Sequence, residues 1–131
     1  MQDAKSIFYV TGCDSGFGAM VVSALDGAGF GCFAGCYTPE GAARLREACS
    51  ARVRPVSLDV TSEESVTAAA AQIASDLGAL SRGLDGVLNN AGILMTPGPT
   101  EWTTAKSFDA MYRVNVLGTA AAQGPAFFSR P

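Results

Sequence analysis

The segment Thr11-Gly12-Cys13-Asp14-Ser15-Gly16-Phe17-Gly18 sets its glycines in a Gly-x-x-x-Gly-x-Gly spacing. Glycine lets a chain turn sharply and bring backbone amides close to a ligand, and the first amides of a helix form a positive end that holds phosphate. The chemistry such a turn offers is anion cradling rather than covalent catalysis. Three further groups could act with it: Asp59 within Leu58-Asp59-Val60-Thr61, the pair Asn89-Asn90 ahead of Ala91-Gly92, and Asn115 within Val114-Asn115-Val116-Leu117-Gly118. The chain has no histidine, which removes Ser-His-Asp and Cys-His nucleophile systems, HExxH zinc sites and every His-ligated metal. No metal site is expected.

Composition narrows the classes further. Nine Lys and Arg against twelve Asp and Glu leave a net charge of −3, so there is no strong basic field to hold nucleic acid or an anionic membrane. Cys13, Cys32, Cys36 and Cys49 make no CxxC pair, and a chain with 48% hydrophobic residues has a core without staples; reduced thiols are expected. No apolar run approaches the roughly 18 residues of a membrane span, and Met1 to Ser6 is too short and polar for a signal peptide. The expectation is a soluble intracellular chain of unassigned compartment.

The elements that must position these groups follow from patterning. Ile7 to Val10 is a short apolar run without alternation, as in a strand buried on both faces. A helix follows from Phe17 to about Ala28, with Val21, Ala24, Leu25 and Ala28 as its buried face and Gly29 as its stop. Phe30 to Cys36 is a second strand. Thr38-Pro39-Glu40 then opens a helix to about Cys49, with a cap, a proline at the first position and an acid in the first turn. Val53 to Val60 is a third strand, and Thr61-Ser62-Glu63-Glu64 matches a capping box ahead of an Ala-rich helix ending near Leu77-Gly78. Leu84 to Asn89 is a fourth strand, and a last helix begins near Thr103 or Thr104. Strands alternating with helices give a doubly wound α/β fold with a parallel sheet. The glycine turn then lies at the end of the first strand and the head of the first helix, where a dinucleotide's pyrophosphate rests.

With these elements in order, the sequence resembles the short-chain dehydrogenase/reductase family. Its motifs are the glycine turn, Leu58-Asp59-Val60-Thr61, Asn89-Asn90-Ala91-Gly92 and the Asn115 segment. The wording Thr-Gly-Cys-Asp-Ser-Gly-Phe-Gly, with Glu101-Trp102 further on, is most similar to the branch of retinol, hydroxysteroid and hydroxybutyrate dehydrogenases. The resemblance implies a Rossmann-like sheet and a nicotinamide dinucleotide held by Gly12, Cys13, Asp14, Ser15, Gly16, Phe17, Gly18, Cys36, Asp59, Val60, Asn90, Ala91 and Gly92. It implies that Asp59 holds the adenine amino group. It also makes Asn115 the one member of the catalytic tetrad in the chain, steadying a proton relay through a helix kink and a water. Taken singly, Asp59 reads equally as a solvent-facing acid, Asn89-Asn90 as a turn pair and Asn115 as a polar helix residue; their order favours the functional reading. It also disfavours a non-redox nucleotide-fold protein such as a methyltransferase.

Cofactor choice rests on charge. The second strand ends in Gly35-Cys36-Tyr37-Thr38 without the acid that usually meets a ribose hydroxyl, yet no cation for a 2′-phosphate stands there or in Cys13-Asp14-Ser15. Asp14, pointing inward, would repel that phosphate, so NAD is expected over NADP.

The family's Tyr-x-x-x-Lys pair is absent: four residues after Tyr9, Tyr37 and Tyr112 stand Cys13, Gly41 and Val116. The expected organisation is a dinucleotide-binding domain over 1–118, the N-terminal half of a dehydrogenase, cut after the fourth strand and its helix. A divergent tail follows over 119–131, where Gly124-Pro125 breaks the helix. The expected activity is oxidation of a secondary or allylic alcohol by a complete relative, this chain being inactive alone. A catalytically dead binding or interaction module is the alternative. Expected partners are the dinucleotide, an alcohol or ketone substrate in a full-length form, and a second copy or full-length relative.

Overall fold

The computed structural model describes residues 1–95 and 97–123. Four parallel strands, β1 (Ile7–Val10), β2 (Gly31–Cys36), β3 (Val53–Ser57) and β4 (Gly86–Leu88), form one sheet in the order β3-β2-β1-β4. Helices α1 (Gly16–Gly27), α2 (Pro39–Ala48) and α3 (Glu63–Leu80) make the crossovers. The chain reverses direction across the sheet between β3 and β4, so the carboxyl ends of β1 and β4 open a crevice where an α/β sheet of this order binds ligands.

The sheet is covered on both faces, and the alternation along its strands shows how. Ile7 and Tyr9 of β1, Phe33 of β2 and Val56 of β3 pack with Ala69, Ile73 and Leu77 of α3. Val10, Cys32, Ala34 and Cys36 point the other way and meet Val22 of α1 and Leu45 of α2. Every residue of β2 is buried, which is why that strand reads as a continuous apolar run.

Several boundaries differ from the sequence reading. β3 stops at Ser57 and β4 shrinks to Gly86–Leu88; just past β3 the Leu58 amide still donates to the Cys36 carbonyl at 2.8 Å while the side chains of Leu58 and Val60 join the crevice wall. The buried face of α1 is Gly18, Val22 and Asp26; Ala24 and Ala28 are exposed. Asp26 is buried because Ser50 and Arg52 satisfy its carboxylate, something no apolar pattern reveals. Gly29 does end α1: with φ of 84° it donates to the Asp26 carbonyl while Phe30 donates to Leu25, the paired bonds of a Schellman turn. α3 runs past Gly78 to Leu80 and closes through Ser81 at φ of 51°.

After β4 come a 3-10 turn at Thr100–Trp102, α4 (Ala105–Tyr112), a π-helical segment at Arg113–Gly118 and an α-helical turn at Thr119–Ala121. The expected break at Gly124-Pro125 and most of the tail over 119–131 lie outside the described residues. Among the described residues no helix is long and apolar enough to cross a membrane.

Candidate dinucleotide cleft

The glycine turn is held open by the segment after β4. Thr11 is buried, and its hydroxyl accepts the amides of Asn90 at 3.0 Å and Ala91 at 2.9 Å. Asn90 answers with its own amide group, donating to the carbonyls of Thr11 at 3.0 Å and Gly12 at 2.9 Å. These four bonds tie two segments far apart in sequence. Gly12 has φ of 69°, and a Cβ there would stand 2.6 Å from the Ala91 Cα; any side chain would push the turn off its brace. Gly18 fits against the Gly12 carbonyl and the Asn90 amide, which leave no space for a Cβ.

Helix N-termini elsewhere are closed by side chains. Thr38 caps α2, Ser62 caps α3 and Thr104 caps α4, each accepting a backbone amide. Ser15 precedes α1 without such a bond, so the first amides of that helix remain available at its positive end. They face a cleft of about 600 Å³.

Of the residues expected to hold a cofactor, Gly12, Asp14, Ser15, Phe17, Val60, Asn90, Ala91 and Gly92 line this cleft. Gly18 packs behind the turn, whereas Gly16 is exposed and bends the chain at φ of 58°. Cys13 faces the core: its amide donates to Gly35, its thiol to the Val10 carbonyl, and burial pushes the thiol pKa up. Cys36 is likewise buried in the core, its thiol pushed up to about 11 by burial first and by the Asp14 charge second. The cleft residue at that strand end is Tyr37, one position on. Asp59 accepts the Thr61 amide at 2.9 Å and its hydroxyl at 2.6 Å, while its neighbours Leu58 and Val60 form the wall.

Asp14 binds the far side of the cleft. Its carboxylate accepts the amides of Tyr37 at 2.8 Å and Thr38 at 2.7 Å and the Thr38 hydroxyl at 2.6 Å. Burial pushes this carboxyl up, but the hydrogen bonds from Thr38 and Tyr37 outweigh it and hold the group below the usual carboxylate range. The Arg44 guanidinium donates to the Asp14 carbonyl at 2.9 Å. Arg44, six residues past the cap of α2, is thus a cation beside the turn that lies outside the two segments on which the cofactor expectation rested.

Asn115 stands behind the cleft. Its side chain pairs with both backbone groups of Ile93, accepting at 2.8 Å and donating at 2.9 Å, while its own carbonyl accepts the Thr119 hydroxyl. Ile93 and Val114 line the cleft in its place. Gly118 lets the helix lie against Val60, whose methyl a Cβ would meet at 2.6 Å. Tyr37, Thr38, Leu58, Ile93 and Val114 also line the cleft without having been singled out from sequence; Leu58 and Val114 stand inside the motifs around Asp59 and Asn115, Tyr37 and Thr38 are the first residues past a fully buried strand, and Ile93 carried no signal.

The comparisons agree with this geometry. A family profile described as short chain dehydrogenase matches residues 6–124. Retinol dehydrogenase 7 of Rattus norvegicus is 45% identical over 118 residues, covering 90% of this chain and 36% of that protein. The 17-beta-hydroxysteroid dehydrogenase type 6 of Bos taurus is 43% identical over 118 residues, with the same 90% and 36% coverage. The chain therefore spans about a third of the length of these curated relatives. Among solved structures, the NADPH-bound carbonyl reductase from chicken fatty liver superposes with a TM-score of 0.83 at 26% identity, covering 95% of this chain and 48% of that one. The NADH complex of 3-ketoacyl-(acyl-carrier-protein) reductase from Brucella melitensis gives 0.80 at 26%, covering 91% and 47%. With the glycine turn, its Asn90 brace and the Asn115 clamp all within the matched span, the chain belongs to the short-chain dehydrogenase family of oxidoreductases, beside retinol and hydroxysteroid dehydrogenases.

Proposed function

We propose that this chain supplies the dinucleotide-binding portion of an NAD-dependent dehydrogenase acting on the CH–OH group of a secondary or allylic alcohol, such as a steroid, retinol or a hydroxy acid. The observation that carries the reading is the uncapped head of α1 in a braced glycine turn, opening on the cleft. The residues fit the group: the first α1 amides would hold the pyrophosphate, Asp14 and Tyr37 would hold the adenosine ribose, and Ile93 and Val114 would offer the nicotinamide an apolar wall. When bound, the nicotinamide accepts or gives the hydride. Asn115 is a positioning residue that fixes Ile93.

A phenol needs a neighbouring positive charge to exchange protons near neutral pH, and the sequence has no Tyr-x-x-x-Lys. The expected behaviour is therefore binding without turnover. Titration of the purified chain with NADH, followed by nicotinamide fluorescence, should saturate, and no NADH should form from NAD with retinol or a steroid alcohol. Absence of saturable binding overturns the cofactor reading; steady NADH formation overturns the inactivity.

A second reading, an interaction module that pairs with a copy of itself or a full-length relative, draws on one observation: α4 buries no residue, and Phe108 and Tyr112 stay more than half exposed.

A further inference from the structure

The two outer edges of the sheet are built differently. On β3 the Arg52 carbonyl accepts the Cys32 amide and the Leu58 amide donates to the Cys36 carbonyl, so the even-numbered residues face β2 and Val53, Pro55 and Ser57 face outward. That edge has lost most of its donors: the Val53 amide is spent on the Ser50 carbonyl at 3.0 Å, Pro55 has none, and the Arg54–Asp76 ion pair stands beside them at 3.0 Å. Proline and charge are what sheets place on an edge to stop another strand from adding there. β4 carries neither. Val10 pairs with Leu88, the Leu88 carbonyl accepts the Thr11 amide, and the Asn90 amide goes to the Thr11 hydroxyl. The backbone groups of Val87 and Asn89 therefore face outward, with no strand beside them among the described residues.

We infer that this edge pairs with the same edge of a second copy of the chain, antiparallel across a twofold axis at Leu88. The inference deepens the interaction reading above by naming the copy and the strand, and it does not depend on the cofactor. Val87 of one chain then lies opposite Asn89 of its copy, and each such pair exchanges both of its N–H···O bonds. Between them the two Leu88 side chains meet at a non-hydrogen-bonded position, where Cβ atoms stand about 4.5–5.5 Å apart. Leu88 suits that place. It is 42% exposed and lies on the sheet face opposite Val87, which packs with the core under α3. Self-pairing is opposed chiefly by like charge, since a twofold axis brings residues near their own copies. The sequence has no charged residue from Gly86 to Thr100, so nothing in that run repels the second chain. That neutrality favours the copy over a charged foreign strand.

The test is sedimentation velocity of the full chain over protein concentrations from about 1 to about 200 µM, since assembly follows mass action. A short edge buries less than the roughly 800 Å² a side of a stable complex, so a weak dimer is expected, half formed at about 10–100 µM. Leu88→Lys and Leu88→Glu each set like charges face to face across the axis, and each should leave the chain monomeric over the whole range. Mixed in equal amounts, the two variants should dimerise at least as tightly as the unmodified chain. Val87→Pro removes one outward donor from each copy, as Pro55 does on the other edge, and should weaken the dimer by about tenfold. A cooperative thermal melt checks that each variant is folded, and the exposed position of Leu88 keeps the charge pair decisive if Val87→Pro is not. A dimer that survives both single Leu88 variants overturns the inference, as does a mixture of the two that stays monomeric. Growth past the dimer without an end point overturns it too, because a twofold axis closes. A chain that is monomeric alone but sediments with added full-length retinol dehydrogenase 7 overturns the copy and leaves the interaction reading standing; one that associates with neither overturns both.

Discussion

Asn90 shows how much one side chain can do by donating. Its amide nitrogen is shared between the carbonyls of Thr11 and Gly12, and both carbonyls sit at the bend that must present amides to a ligand. Asn90→Ala leaves the two acceptors without that partner, which should cost about 1–3 kcal/mol of stability in urea unfolding and weaken NADH by roughly tenfold, about 1.4 kcal/mol. Asn90→Asp is the sharper variant. It is isosteric but cannot donate when ionised, so it sets a carboxylate against two carbonyls and should be worse than alanine; an Asp variant as stable as the native chain would refute the brace. The motif pointed to Asn90, Ala91 and Gly92 from sequence. The matching role of Thr11 was not legible, because a threonine at a strand end carries no spacing signal and its hydroxyl is engaged only once β4 lies beside β1. Cys13 and Cys36 turn their side chains to the core for a related reason. A motif names positions, whereas the side chain's direction depends on which face of the sheet each position falls.

Element by element, the strands and helices could be read from apolar runs and cap residues, and the caps Thr38, Ser62 and Thr104 accept amides as their types demand. The capping box at α3 is shifted by one. Ser62 is the cap, and the third helical residue is Ser65, whose hydroxyl accepts the Asp59 amide at 2.9 Å, joining the helix head to the strand that precedes it. Element ends were less legible where tertiary contact decides. Gly78 reads as a stop, yet α3 continues to Leu80, and its closing bonds run from Ser81 to Gly78 and from Arg82 to Leu77. The left-handed position therefore falls on a serine, at φ of 51°, where a Cβ costs about 1–2 kcal/mol relative to glycine. Ser81 is exposed, so Ser81→Gly should raise stability by about 1 kcal/mol, after the greater freedom of glycine in the unfolded chain is subtracted. A urea midpoint that falls instead would mean the serine side chain stabilises that turn.

At the scale of the whole molecule, the cleft and the sheet are one object. The cleft wall draws on the β1–α1 turn, the β2–α2 turn, the residues after β3, the segment after β4 and the helix beyond α4. These segments meet only in the folded chain, so a ligand there binds the native state alone. Association complicates other readouts, since among the described residues β4 pairs with β1 alone, and Trp102 and Leu117 are at least half exposed; such surfaces favour contact between molecules. Ligand-induced stabilisation avoids that difficulty because it is read as a difference at fixed protein concentration. With NADH at about 100 times its dissociation constant, linkage predicts about 2.7 kcal/mol of added stability, which for a chain of this size raises the melting temperature by roughly 10 °C. The shift should grow with the logarithm of NADH concentration and shrink in Asn90→Ala. A cooperative melt that does not move at saturating NADH would separate this fold from the chemistry its motifs imply.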